Sequence, residues 1–122
     1  MVKNIEMDEK VTLGVQLQQN IRNVIVINTF NVNPEDVDQF VKTWASAAEI
    51  AKKTMPGAVS FQLHRGIGSN IFVGYVIFES TEAIRQLYKN PEFPSKLSEY
   101  PASTVAASHL FTKIAVPGIC VD

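Results

Sequence analysis

Apolar and polar positions alternate along this chain with two different periods, and the switches between them lay out its elements. The run NVIVINTFNV, residues 23–32, is rich in Val, Ile, Phe and Thr and reads as a strand. One face of that strand carries Val24, Val26, Asn28, Phe30 and Val32, and the other carries Ile25, Ile27, Thr29 and Asn31. Both faces are mostly apolar, so both call for cover. NPED, residues 33–36, then starts a helix: Asn33 is a capping residue, Pro34 suits the first helical position, and Glu35 and Asp36 favour the positive end of the dipole. Val37, Phe40, Val41, Trp44, Ala48, Ala51 and Met55 follow at helical spacing, with Lys52 and Lys53 in the last turn and Met-Pro-Gly as the stop.

Period two returns in GAVSFQLHRG, residues 57–66, where Val59, Phe61 and Leu63 share one face and Ala58, Ser60, Gln62 and His64 the other. GIGSN is turn chemistry, and NIFVGYVIFES, residues 70–80, is the return strand of a hairpin. Ser80 caps a short helix with Ile84, Leu87 and Tyr88 on one face, and NPEF at 90–93 restarts a second helical piece that Pro101 ends. Residues 103–116 read as the last strand, with PGICVD as a tail. Residues 1–20 form an extended arm: Val11, Leu13, Val15 and Leu17 alternate with polar residues, although Gly14 weakens a strand there. The chain thus divides into this arm and one domain over residues 21–122.

The order strand, helix, strand, strand, helix, strand predicts an α+β fold, a ferredoxin-like βαββαβ antiparallel sheet with its helices on one face. Helices on one face leave the other apolar face uncovered. The simplest lid is the same face of a second copy, which makes a homodimer through the sheet faces the expected assembly.

Composition narrows the function. With 122 residues, 46% hydrophobic and 19% charged, the chain is globular and rather apolar. A net charge of −1 and the absence of any Lys/Arg cluster argue against a nucleic-acid partner. No stretch reaches the ~18 apolar residues of a membrane span, and no apolar signal region opens the chain, so a cytoplasmic protein without a membrane partner is expected. One cysteine makes no internal disulfide, and no Cys/His group has zinc spacing. Cys120 lies beyond a Pro-Gly break from His109 with nothing nearby to activate it, so a nucleophilic Cys/His pair is not expected.

The candidates for chemistry are few. Asn28 is a carboxamide among aliphatic neighbours, either satisfied by backbone or water or set to orient a ligand. His64 and His109 are the only histidines, and each is a candidate acid or base or else a satisfied sheet residue. Trp44, Phe72, Tyr75 and Phe78 are core aromatics or pocket walls, and Gly74 among them leaves local space. Arg85 belongs to the outer side of the second helix or to a ligand site, and Arg65 has the alternative of an anion clamp.

The segments VIVINTFNVNPEDVDQFVKTW, PGAVSFQLHRGIG, FVGYVIFESTEAI, PEF and SHLFTKIAVPGICV together resemble the antibiotic biosynthesis monooxygenase family over residues 22–121. The resemblance implies a dimeric α/β barrel with an apolar cavity between sheet and helices in each protomer. It also implies one of several activities: cofactor-free oxygenation of polycyclic phenols, quinol oxygenation, haem degradation or an isomerase-like reaction. Asn28 matches the first-strand Asn of the haem degraders, but Phe78 stands where they carry Trp and Leu97 near where they carry His, which argues against haem. The cofactor-free members use Asn, Trp, Tyr and Arg in the cavity, types available here as Asn28, Trp44, Tyr75 and Arg85. The expected function is therefore a monooxygenase without cofactor or metal acting on a small aromatic or quinol-like molecule. Asn28 would orient it, His64 or His109 would take its proton, and Trp44, Phe72, Tyr75, Phe78 and Arg85 would surround it. The alternatives are a dimeric protein that binds a small apolar ligand without turnover and a histidine-dependent isomerase or hydrolase. A titratable group facing the cavity separates catalysis from mere binding, and if neither histidine lines the cavity, binding becomes the better reading.

Overall fold

The computed structural model describes residues 2–120. Its elements are β1 (Lys3–Glu6), α1 (Leu13–Gln16), β2 (Arg22–Asn31), α2 (Val37–Thr54), β3 (Ala58–Arg65), β4 (Ile71–Ser80), α3 (Thr81–Lys89), α4 (Glu92–Leu97) and β5 (Val105–Phe111). From β2 onward the order is that of the ferredoxin-like α+β fold. The sheet runs β1-β5-β2-β4-β3. The β2–β4, β2–β5 and β3–β4 pairs are antiparallel, whereas β1 lies parallel to β5, so the sheet is mixed and has five strands.

The helices lie over the face that carries Val24, Phe30, Phe72, Val76 and Phe78. Val24, Val76 and Phe78 pack with Ala51, Ile84 and Leu87, and Phe30 and Phe72 pack with Phe40. Trp44 touches both clusters. α2 opens through a 3-10 turn at Pro34–Asp36, and the Asn33 side chain does not cap it. Ser103 ties this corner instead: its hydroxyl donates to Asp36 Oδ2 at 2.6 Å and accepts from the Asn33 N–H at 3.2 Å. Ser80 does cap α3, accepting from the Ala83 N–H at 3.2 Å.

The N-terminal arm differs from its sequence pattern in two ways. Residues 3–6 add an edge strand that the pattern did not mark, and the alternating stretch at 11–17 is no strand. Thr12 caps a single helical turn there. Beyond Ser108 the β5 edge is met by a side chain: Gln16 Oε1 accepts from the Leu110 N–H at 2.7 Å while its amide nitrogen donates to Val11 O at 2.8 Å. One buried glutamine thus replaces a length of strand. The arm is then clamped to α3. Arg85 Nη1 donates to Leu17 O at 2.6 Å, and the Thr81 hydroxyl donates to Gln19 O at 2.6 Å while accepting from the Ile21 N–H at 3.1 Å.

β5 is shorter than the 103–116 read from the sequence. Its pairing to β2 ends at Ile25↔Phe111, and two residues before Ile25 the backbone bends through Asn23 at φ 55°, a conformation Asn tolerates well. Past Phe111 the pairing to β5 stops, and the remaining residues of β2 pair with β4 alone. The face of the sheet opposite the helices carries Ile25, Ile27, Val73, Tyr75, Ile77 and His109 in register, and among the described residues no helix packs over it. Among the described residues no helix is long and apolar enough to cross a membrane.

Gly57 shows how tightly α3 sits on the start of β3. A Cβ built there would lie 2.6 Å from Ala83 Cβ. Gly57→Ala is expected to destabilise the fold by about 1–3 kcal/mol, as overpacking does, read as a lower urea midpoint with an unchanged slope. An unchanged midpoint would mean that α3 moves freely on the hairpin.

Candidate active site

Small residues on facing surfaces leave space between sheet and helices. Ala47, Ala48 and Ala51 on α2 face Ala106 and Ser108 on β5 across a cavity of about 380 Å³, a volume suited to a small organic ligand. Val26, Phe61, Val76 and Phe78 give it apolar walls, and Tyr88 and Tyr100 close it from the helical side. The arm adds a solvent-exposed wall, because Val2, Asn4, Glu6 and Leu13 also line it.

Three polar residues of the sheet wall fall on one row across the strands, with Asn4 on the next row beside Ala106. Glu6 is paired with Ser108, Ser108 with Asn28, and Asn28 with Gly74. The Ser108 hydroxyl donates to Asn28 Oδ1 at 2.5 Å, which orients the carboxamide and turns its NH2 toward Gly74. There the missing side chain matters: a Cβ on Gly74 would stand 3.2 Å from Trp44 Nε1 and 3.4 Å from Asn28 Nδ2. Two N–H donors from different elements therefore converge above one glycine. Among the described residues no acceptor engages either of them, and both residues line the cavity. Such a pair suits an oxygen of a ligand, above all one that gains negative charge, because donors fixed in place need no reorganisation.

The two phenols in the wall stay protonated. Burial pushes Tyr88 up, and burial, with Tyr88 close by, pushes Tyr100 well above the ordinary tyrosine range.

The cavity gathers three of the residues singled out in the sequence, Asn28, Trp44 and Phe78. It does not gather the rest. Phe72 is buried against Phe40 with ring centroids 4.8 Å apart and lies outside the lining. Tyr75 sits on the open face, opposite Ile27 and Gln62. His64 is exposed on that same side, 3.0 Å from Gln62 Oε1. His109 pairs with Ile27 on the open face and bonds through Nδ1 to Leu110 O at 2.6 Å. Period two explains Tyr75, His64 and His109 at once, since the neighbours of Gly74, Leu63 and Ser108 along their strands point away from the cavity, whereas Phe72 shares the helix-facing side and is taken up by the packing against Phe40. Arg85 binds the arm and Glu82, whose carboxyl Gln86 and Arg85 hold below its ordinary value. Arg65 braces the hairpin through Ser69 O at 3.0 Å and Asn70 Oδ1 at 2.7 Å. Phe78 and Leu97, the two departures from the haem-degrading pattern, both line the cavity. Cys120 is exposed and outside its lining. Among the described residues no group of three His, Cys, Asp or Glu side chains is arranged to hold a metal ion.

Sequence reasoning missed Glu6 and Ser108. Ser108 stands on the same strand face as Leu110 and Ala106, and only the register with Asn28 gives it meaning. Glu6 carries no local signal, because its strand is four residues long.

A largely apolar cavity under the helices of a ferredoxin-like sheet places the chain among small α+β proteins of that fold. The model for the antibiotic biosynthesis monooxygenase family matches residues 23–94, more than half of the chain, and the protein belongs to that family. No curated protein matches it. Among solved structures it is similar to SnoaB, a cofactor-independent oxygenase from Streptomyces nogalater, with TM-score 0.72, 22% identity, and coverage of 80% of this chain and 99% of that one. It is also similar to Rv0793 from Mycobacterium tuberculosis, with TM-score 0.67, 13% identity, and coverage of 82% and 100%. At these identities the likeness speaks for the fold.

Gly74→Ala tests the donor pair. The added methyl crowds Trp44 Nε1 and Asn28 Nδ2 and takes the place of a ligand oxygen. Affinity for naphthol, followed through the fluorescence of Trp44, the only tryptophan, is expected to fall about tenfold, the worth of about one hydrogen bond. Unchanged affinity would show that the oxygen binds elsewhere.

Proposed function

We propose that this protein is a cofactor-independent monooxygenase that oxidises a small phenolic or quinol-like aromatic inside the cavity. The observation that carries the reading is the pair of unengaged donors, Asn28 Nδ2 and Trp44 Nε1, above Gly74 in an otherwise apolar enclosure. Family membership supports it, and the likeness in fold to a cofactor-independent oxygenase is in keeping with it. The aromatic ring lies against Phe78 and the aliphatic walls. Its oxygen accepts from Asn28 and Trp44, and the two N–H groups stabilise that oxygen as its proton leaves. The electron-rich anion passes one electron to O2, the two radicals combine at a ring carbon, and the hydroperoxide loses water. In sum, a phenol and O2 give a quinone and water, with the four electrons of O2 reduction drawn from the substrate. The apolar walls keep bulk water from the intermediates.

A second reading, a protein that binds such a ligand without turning it over, is favoured by the position of both histidines on the open face, away from the cavity. Turnover separates the two. Reduced naphthols are mixed with the protein without oxygen, O2 is then admitted, and oxygen uptake and quinone absorbance are followed. Asn28→Leu, which removes one donor and keeps the volume similar, is expected to lower kcat/KM by about 10²-fold or more. Ligand binding with no oxygen uptake in the unaltered protein would leave the second reading standing.

The assembly proposed is a homodimer through the open sheet face, where Ile25, Ile27, Val73 and Ile77 form an apolar surface. Light scattering at micromolar concentration is expected to give twice the mass of the 13.5 kDa chain. Ile27→Asp is expected to give the single mass with the fold retained. A single mass for the unaltered protein would overturn the dimer.

A further inference from the structure

The donor pair over Gly74 is built to hold an anion, and the ionisable groups of the lining are not placed to make one. Among the described residues, those that line the cavity from β2, β3, β4, β5, α2 and α4 carry no ionisable side chain. The lining has Glu6, Tyr88 and Tyr100. Burial keeps the two phenols protonated. Glu6 is exposed on the edge strand, and the pairing of β1 to β5, β5 to β2 and β2 to β4 sets it three strand spacings from Gly74, roughly 14 Å between Cα atoms. Its Oε2 accepts from the Leu13 N–H at 2.9 Å. His64 and His109 have the sheet between them and the cavity.

We infer that the cavity takes its substrate as the phenolate, the proton passing to water rather than to a side chain, so that the protein selects phenols acidic enough to supply the anion themselves. The inference rests on the function put forward above for the same cavity and names the class of phenol it accepts.

The seat itself favours the anion. Asn28 Nδ2 and Trp44 Nε1 only donate. The oxygen of the same carboxamide is already engaged by the Ser108 hydroxyl. A neutral phenol brings a hydrogen of its own between these two donors, whereas a phenolate accepts from both and has none to place. Hydrogen bonds to a charged acceptor are also the stronger ones.

The walls add a second filter. An anion that enters an apolar space loses its hydration, and two fixed donors offset only part of that loss. A phenolate whose charge spreads from the oxygen into the ring loses less. The same delocalisation makes the parent phenol acidic, so the feature that ionises the substrate in water also admits it to the cavity. In the step itself the phenolic O–H bond breaks in water, the proton stays with water and the electron pair stays on oxygen. The electrons that later reach O2 come from the bound anion.

The test follows the proton. Naphthol is added to the protein under argon in weak buffer with an indicator dye, one pH unit below the ionisation of the free naphthol. Binding is expected to give a phenolate band and to release about one proton per site to the medium. Asn28→Leu is expected to weaken this binding about tenfold while methoxynaphthalene, which has no proton to lose, changes by about twofold or less. With O2 admitted, kcat/KM is expected to rise about tenfold per pH unit and to level at the ionisation of the free phenol. Across chlorinated naphthols, which ionise at progressively lower pH, that break is expected to move with the substrate. A protein base already charged at neutral pH would instead give a rate that falls above that point, because its substrate would be the neutral phenol.

A phenolate band without proton release places the proton on a side chain and overturns the inference. Binding of the neutral naphthol, an equal loss for both ligands in Asn28→Leu, or a break at one pH for every substrate overturns it too, and each leaves the oxygenase reading intact. Proton release with a phenolate band but no product under O2 supports the inference for the site and overturns the oxygenase reading alone. No binding by the unaltered protein overturns both.

Discussion

A carboxamide set into an aliphatic strand face is the constraint from which the site grows. Asn28 lies between Val26 and Phe30 on the helix-facing side of β2, and left without partners such a group costs about 1–3 kcal/mol. Ser108 on the next strand satisfies its oxygen at 2.5 Å. Its NH2 is left to the cavity, beside the indole N–H of Trp44 and above Gly74. A larger residue than glycine at 74 would push the indole away, and larger residues than alanine along α2 would fill the space. The polar row and the small residues are therefore parts of one arrangement: the sheet tolerates the amide there because the helices stand off from it.

The arm is tied to this arrangement more firmly than an appendage would be. β1 extends the sheet past β5, the Gln16 side chain takes over the edge where β1 ends, and Arg85 with Thr81 fastens the next few residues to α3. Arg85 shows how easily a charged residue on a helix is misassigned. Its type suggests a ligand clamp, yet its guanidinium is occupied by two backbone carbonyls, Asn20 and Glu82. What it does for the site is indirect, because the segment it secures carries Glu6 and Leu13 to the cavity wall.

The elements with strong period were legible in the sequence. β2, α2, the β3–β4 hairpin and α3 each combine a run of patterned residues with a recognisable start or stop, and Asn28 stood out because it interrupts such a run. The side of each strand was legible too: Phe78 was correctly set against Tyr75 by alternation alone. What the sequence could not give was the relation between strands. Ser108 matters only because the register puts it opposite Asn28, and Trp44 reaches Gly74 only through the way α2 crosses the sheet. The same lack of register let His64 and His109 stand as candidates for the cavity, when alternation and pairing together turn both to the open face. The arm failed for another reason. Its period-two stretch at 11–17 has no strand to pair with, and a four-residue strand such as KNIE carries too few positions to show a pattern.

The sheet therefore divides its chemistry between its faces. The helix side holds an amide, a hydroxyl, a carboxylate and an indole around an apolar space. The open side holds Tyr75, His64 and His109 among Ile25, Ile27, Val73 and Ile77. Because successive residues of a strand alternate, a slip of one residue in the β2–β5 register would exchange the two sets, bringing His109 into the cavity and removing Ser108 from it. Nothing in the local composition of SHLF prevents that slip. It is resisted by the whole apolar pattern of β2 and β5, since Val24 and Ala106 would leave the core together with it. The placement of the catalytic candidates is thus fixed less by the polar residues themselves than by the hydrophobic register around them.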